Sequence, residues 1–239
     1  MIKILTSQVD SYTKINGEKI VKEIGDTNKF VTQIKKYLKD NKSILFIASS
    51  KNDFEKIDIY SNLLFESLKL SGIAFKEYNV LDGRTTDRAK EFVDKANLIF
   101  LSGGNTFLQS EFFKEINLKA LLENYNGIVV GQSAGSINMA KDVFNSPEQS
   151  ENSDPIYFEG LGLTKMNIEP HWKTDTSAFN EDEKYQRNYI LEESEKRAIY
   201  GLCDGSYILI DNDEVKIYGE TYLIKDRKIS RIKYWINNI

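Results

Sequence analysis

The chain has one histidine, one cysteine and three prolines in 239 residues. Each scarcity excludes something. A lone Cys203 leaves no internal disulfide framework. Three prolines give no stiff or hinge-like linker, and there is no repeat or low-complexity tract. No apolar run approaches the roughly 18 residues of a membrane span. The opening Met1–Thr6 is short and polar-flanked, so it reads as a first strand and not as a signal peptide. A net charge of -4 and a pI near 5.3 leave no electrostatic footprint for nucleic acid or an anionic membrane. These exclusions predict a cytoplasmic protein. With 41% hydrophobic and 28% charged residues, composition is that of an ordinary globular chain. Residues 1–239 are expected to form one domain.

What is present is an alternation of short apolar runs and amphipathic stretches. Ile2–Leu5, Ile44–Ala48, Phe75–Val80, Leu98–Leu101 and Ile128–Val130 read as strands. Runs apolar throughout suit strands covered on both faces of a parallel sheet. Between them, Phe30, Val31, Ile34 and Leu38 fall on one helical face. Phe54, Ile57, Tyr60, Leu64 and Leu68 do so again, with Gly72 as a stop. Asp87–Lys95 and the charged stretch Asp182–Lys196 read as further helices, and Asn145–Pro155 as a polar loop. Tyr207–Ile210, Val215–Tyr218, Thr221–Ile224 and Ile229–Trp235 read as antiparallel strands. The prediction is an α/β fold: a doubly wound, mostly parallel sheet, helices on both faces, and a small C-terminal antiparallel extension. Its chemistry belongs where strands end and helices begin.

Two glycine-bearing turns sit at such junctions. Gly131-Gln132-Ser133-Ala134-Gly135 follows the Ile128–Val130 strand and leads into Ser136–Ala140. A serine held there projects its hydroxyl above the sheet, and the Ala134 N–H at the helix start suits a developing oxyanion. The bland alternative is a glycine-rich turn whose serine caps a helix. Gly103-Gly104-Asn105-Thr106 ends the preceding strand. It reads either as a second oxyanion donor or as a turn with Asn105 or Thr106 capping the next helix. The single imidazole, His171 in Glu169-Pro170-His171-Trp172, follows an extended Met166–Ile168 run. Serine elbow plus one histidine is the residue set of a serine hydrolase. A carboxylate to hold the imidazole tautomer is sought among Glu148, Glu151, Asp154, Glu159 and Asp175; spacing does not choose between them.

Gly-Gly-Asn-Thr-Phe, Gly-x-Ser-Ala-Gly and Pro-His-aromatic, in this order, resemble the peptidase E (aspartyl dipeptidase) family and its cyanophycinase relatives. Asp154–Gly162 and Gly201-Leu202-Cys203-Asp204-Gly205-Ser206-Tyr207 extend the likeness. The resemblance implies a fold similar to class I glutamine amidotransferases and a serine peptidase acting on short peptides, with no metal or other cofactor. By position it implies Ser133 as nucleophile, His171 as general base, and Gly104 and Ala134 as oxyanion donors. Fifteen residues past the serine, where the dipeptidases place an aspartate, stands Glu148, with Glu151 and Asp154 as fallbacks. Asn105 and Gln132 are implied at the substrate pocket, although Gln132 departs from the tryptophan often found in the dipeptidases. Lys184 or Arg187 is implied as the cation for a substrate aspartate. Expected partners are a small peptide substrate and, at most, a second copy of the chain; nucleic acid and membrane are not expected. The competing readings are an isoaspartyl or cyanophycinase-like amide hydrolase and a non-catalytic ligand binder on the same scaffold.

Overall fold

The computed structural model describes residues 1–147, 154–177, 179–232 and the backbone of 236–238. Its centre is an eight-stranded sheet. Five strands are parallel, in the spatial order Glu77–Leu81, Ser43–Ile47, Leu98–Leu101, Ile128–Gln132 and Ile2–Thr6. Beyond Ile2–Thr6 the sheet continues antiparallel through Tyr207–Asp211, Glu214–Tyr218 and Ile236–Asn238. The expected doubly wound, mostly parallel sheet is present. The strands read from continuous apolar runs are buried along their length: every residue of Ser43–Ile47 and of Leu98–Leu101 is buried. Stripping apolar surface from both faces supplies the main driving force here, at about 25 cal/mol per Å².

The C-terminal strands form more than an extension. Tyr207–Asp211 and Glu214–Tyr218 join the main sheet, whereas Thr221–Lys225 and Lys228–Ile232 enter a second, four-stranded sheet with Asn167–Glu169 and Ile199–Leu202. In that sheet Asn167–Glu169 runs parallel to Ile199–Leu202, with Glu169 opposite Gly201. Trp172, buried, lies against Gly201, where a Cβ would fall 2.6 Å from the indole.

Three local readings need correcting. On the helix Phe54–Leu70, Phe54 and Tyr60 face solvent, and Ser61 and Ser67 take places on the buried side beside Ile57, Leu64, Phe65 and Leu68. Ser67 donates to the Lys22 carbonyl, so that hydroxyl can be buried without an orphaned donor. The strand expected at Phe75–Val80 runs Glu77–Leu81. The helix after the serine turn is only Ala134–Ile137. A hairpin, Tyr12–Ile15 with Glu18–Val21, was not anticipated; its turn is Asn16-Gly17, both at positive φ. The charged stretch is a helix over Glu181–Glu193, opened by a capping box between Asn180 and Glu183. No helix of the described residues is long and apolar enough to cross a membrane.

Candidate active site

The serine turn is built by close packing between neighbouring strands. Ile128–Gln132 lies between Leu98–Leu101 and Ile2–Thr6. At its end Ser133 adopts φ 48°, ψ -112°, a conformation that L-residues rarely occupy. Three contacts hold it there. The Ser133 N–H donates to the Thr6 carbonyl at 3.0 Å, and the Ser133 carbonyl accepts from the N–H groups of Ser136 and Ile137. The fully buried Ser136 hydroxyl both accepts from the Thr6 N–H (2.8 Å) and donates to the Thr6 carbonyl (2.9 Å), clamping the short helix to the strand. No residue with a side chain fits at 135: a Cβ there would stand 2.2 Å from the Leu101 carbonyl oxygen. Gly135→Ala is therefore expected to cost about 1–3 kcal/mol or more, lowering the melting temperature by roughly 2 °C or more. An unchanged thermal transition would contradict this packing.

The second glycine turn lies alongside. A Cβ on Gly103 would come 3.5 Å from the Ser133 Cβ, and Gly104, at φ 139°, has its bare face 2.1 Å from the Ser49 hydroxyl on the same basis. Asn105 caps the helix Thr106–Glu115, its side chain accepting from the Leu108 N–H at 2.9 Å. Gln132 accepts from the Val9 N–H at 3.1 Å, tying down the segment after the first strand. Both side chains expected at the substrate pocket thus have scaffold bonds. The Ala134 N–H opens a helix and has no carbonyl one turn before it to meet.

His171 follows the strand Asn167–Glu169 at φ 54°. Its backbone N–H donates to the Ser7 hydroxyl at 2.7 Å, and its Nδ1 lies 2.7 Å from the Asp204 carboxylate. Ser7, fully buried, also donates to that carboxylate at 2.7 Å. Ser133 is thus bonded to Thr6 and His171 to Ser7, two consecutive residues at the C-terminal end of the first strand. The backbones of the nucleophile candidate and the base candidate are thus anchored at the same strand end.

Asp204, which the sequence did not single out, is the carboxylate that stands against the His171 Nδ1 among the described residues. The hydrogen bond from His171 holds its carboxyl below the usual range; partial burial opposes this, and the Ser7 hydroxyl adds to it. Of the acids considered earlier, Glu159 pairs with Lys119 and Asp175 accepts from the N–H and hydroxyl of Ser177, so both are engaged locally. Asp154 is exposed and near Tyr185. Glu148 and Glu151 lie outside the described residues. The signal for Asp204 was the strand-then-turn Gly201–Gly205. The second-sheet register sets Gly201 beside Glu169, so the following residues reach His171 together, and the Trp172 N–H donates to the Leu202 carbonyl at 2.9 Å.

An open cleft beside the imidazole is lined by Glu169, Pro170, Trp172, Phe179, Gln186 and Arg187. The Arg187 guanidinium lies 3.5 Å from the Trp172 ring centroid and 5.0 Å from that of Phe179, and donates to the Lys173 carbonyl at 2.6 Å. Burial pulls its pKa down, and the charge of Glu169 pushes back. Lys184 instead pairs with Glu181 on the exposed helix face. Of the two cations expected for substrate, Arg187 lines the cleft and Lys184 does not.

With this geometry in place, comparison with known proteins identifies the family. The profile of peptidase family S51 matches residues 18–218. Peptidase E of Streptomyces coelicolor is 30% identical over 134 residues, 54% of this chain and 54% of that protein, so the chain spans about half the length of that relative. A probable alpha-aspartyl dipeptidase of Drosophila melanogaster is 26% identical over 186 residues, 75% of this chain and 73% of the other. A solved structure of a peptidase from an acI-B1 actinobacterium shares the fold, with a TM-score of 0.70 at 15% identity, covering 97% of this chain and 93% of that one. The matched span takes in both glycine turns, the histidine strand and Asp204, and the chain belongs to peptidase family S51, a family of serine-type peptidases.

Proposed function

We propose that this protein hydrolyses short peptides through Ser133, His171 and Asp204. One observation carries the assignment: the His171 Nδ1 bonded to Asp204 at 2.7 Å, with Ser133 and His171 suspended from consecutive residues of one strand end. Asp204 holds the proton on Nδ1, so that Nε2 carries the lone pair and acts as base. Nε2 takes the Ser133 proton as the Oγ attacks the scissile carbonyl. The tetrahedral oxyanion rests on the N–H groups of Ala134 and Gly104, worth roughly 3–4 kcal/mol per good donor. His171 then returns the proton to the leaving amine. Water, deprotonated by the same imidazole, cleaves the acyl-enzyme and restores the Ser133 hydroxyl.

Within that reading, Arg187 selects an acidic residue on the acyl side of the scissile bond. Its guanidinium packs against the Trp172 and Phe179 rings at the wall of the His171 cleft, and its planar fork of donors suits paired hydrogen bonds with a carboxylate. A charge-assisted bond contributes about 1.5–3 kcal/mol. Arg187→Ala should therefore lower kcat/KM for α-aspartyl dipeptides roughly 10- to 150-fold and change it little for alanyl dipeptides. Equal losses on both would contradict the specificity. A panel that includes β-aspartyl dipeptides checks the linkage: faster turnover of these would instead identify an isoaspartyl hydrolase.

A further inference from the structure

We infer that Ser7 is a positioning residue for the catalytic pair, a side chain that ties the imidazole and its acid to the sheet carrying the nucleophile. The inference rests on the triad reading above. His171 and Asp204 both extend from the second sheet, His171 after Asn167–Glu169 and Asp204 after Ile199–Leu202. Ser133 extends from the main sheet. A triad split between two sheets needs a part that fixes their relative placement at the reacting atoms. Ser7 directly follows the main-sheet strand Ile2–Thr6.

A serine hydroxyl has one proton to give and two lone pairs to accept with. Ser7 uses both functions here. It accepts the N–H of His171, whose positive φ would otherwise relax. It donates to the Asp204 Oδ1, the same oxygen that faces the His171 Nδ1. The Asp204 side chain is 57% exposed. A carboxylate so open to water rotates away unless it is held, and the Ser7 bond converges with the imidazole bond on a single oxygen. Ser7 itself is fully buried, and its N–H donates to the Ser206 carbonyl two residues past Asp204, so the anchor is rigid. Removing the hydroxyl takes one hydrogen bond from the partly buried His171 N–H and one from the Asp204 carboxylate. The imidazole then loses its fixed tautomer.

The single histidine makes this directly measurable, because only one imidazole contributes to the long-range proton–nitrogen spectrum of the 15N-labelled full chain. Above its titration midpoint, the wild-type imidazole should carry its proton on Nδ1. Asp204→Asn should shift the proton toward Nε2, the tautomer that free imidazole side chains favour. Ser7→Ala should shift it the same way while Asp204 is still present. For a dipeptide that the wild type cleaves, kcat should fall roughly 10- to 100-fold with KM nearly unchanged, less than the ~10⁴-fold loss of a triad with the wrong tautomer. Ser7→Cys keeps the volume with a weaker donor and acceptor. It should move the tautomer in the same direction by less, and it serves if Ser7→Ala does not fold. A wild-type tautomer in these variants overturns the role of Ser7 and leaves the triad standing. A wild type without the Nδ1 proton overturns the triad, and the inference with it.

Discussion

Ser133→Ala abolishes turnover, with kcat falling on the order of 10⁴- to 10⁶-fold, as expected when the nucleophile of a serine triad is removed. The fold survives. The bonds that hold residue 133 run through its backbone, to Thr6, Ser136 and Ile137, and the serine side chain makes no capping bond to the helix it precedes. The melting temperature of the alanine variant should stay within about 2 °C of wild type. Glycine at the same position separates catalysis from strain. Ser133 sits at φ 48°, ψ -112°, and such a residue stores about 1–3 kcal/mol. Ser133→Gly should be as inactive as Ser133→Ala but melt higher. Turnover retained by either variant would remove Ser133 from the chemistry. Equal melting of the two would mean that the elbow stores no strain.

Asp204→Asn is expected to lower kcat on the order of 10⁴-fold, because an amide in place of the carboxylate no longer demands a proton on Nδ1 and no longer stabilises the imidazolium. Its effect on stability has a definite sign. The Asp204 pKa is lowered in the folded protein, chiefly by the hydrogen bond from His171, against the opposing effect of burial. A carboxyl depressed on folding contributes stability that is present above its unfolded pKa, near 3.9, and is lost as pH falls through the folded value below it. Wild type should thus lose part of its thermal stability below about pH 4. The asparagine variant should lack that component while melting like wild type in shape at neutral pH. Thermal scans across this window test it; identical acid profiles for the two proteins would show that Asp204 gains no partner on folding.

How much of this was legible in the sequence follows from which forces act locally. The parallel strands could be read because burial on both faces leaves runs such as Ile44–Ala48 and Leu98–Leu101 with no polar position. The serine elbow could be read because glycines at 131 and 135 answer a local demand: backbone of Ser136 and of Leu101 occupies the space a Cβ would need. His171 stood out by being alone. Asp204 did not stand out, because its partnership depends on the pairing of Asn167–Glu169 with Ile199–Leu202, strands separated by a helix. Nothing in the spacing between the serine and the histidine carries that register. Distance along the chain from those two residues therefore gives no signal for residue 204. Ser7 was invisible for the same reason. It looks like the polar end of a strand, and its two bonds cross to residues 164 and 197 positions away.

Amphipathic readings failed where polar residues found partners inside. Ser67 is buried because the Lys22 carbonyl accepts its proton. Tyr60 stays outside, next to Tyr12 of the hairpin and under the Lys19 ammonium, and so is not part of the apolar stripe. The hairpin turns on Asn16-Gly17, a pair suited to two successive positive φ values. Its strands lack the clean alternation of apolar and polar residues that would have made the turn conspicuous.

The most direct test of the assignment is intact-mass and peptide mapping after treatment with a fluorophosphonate, a reagent that phosphonylates only a serine hydroxyl whose proton is removed by a neighbouring base. Wild type should gain one adduct, mapped to Ser133; Ser133→Ala should gain none, and Asp204→Asn should label far more slowly. Wild-type protein that remains unlabelled at Ser133, or that labels there as fast when His171 is replaced by alanine, would contradict a nucleophile activated by that imidazole.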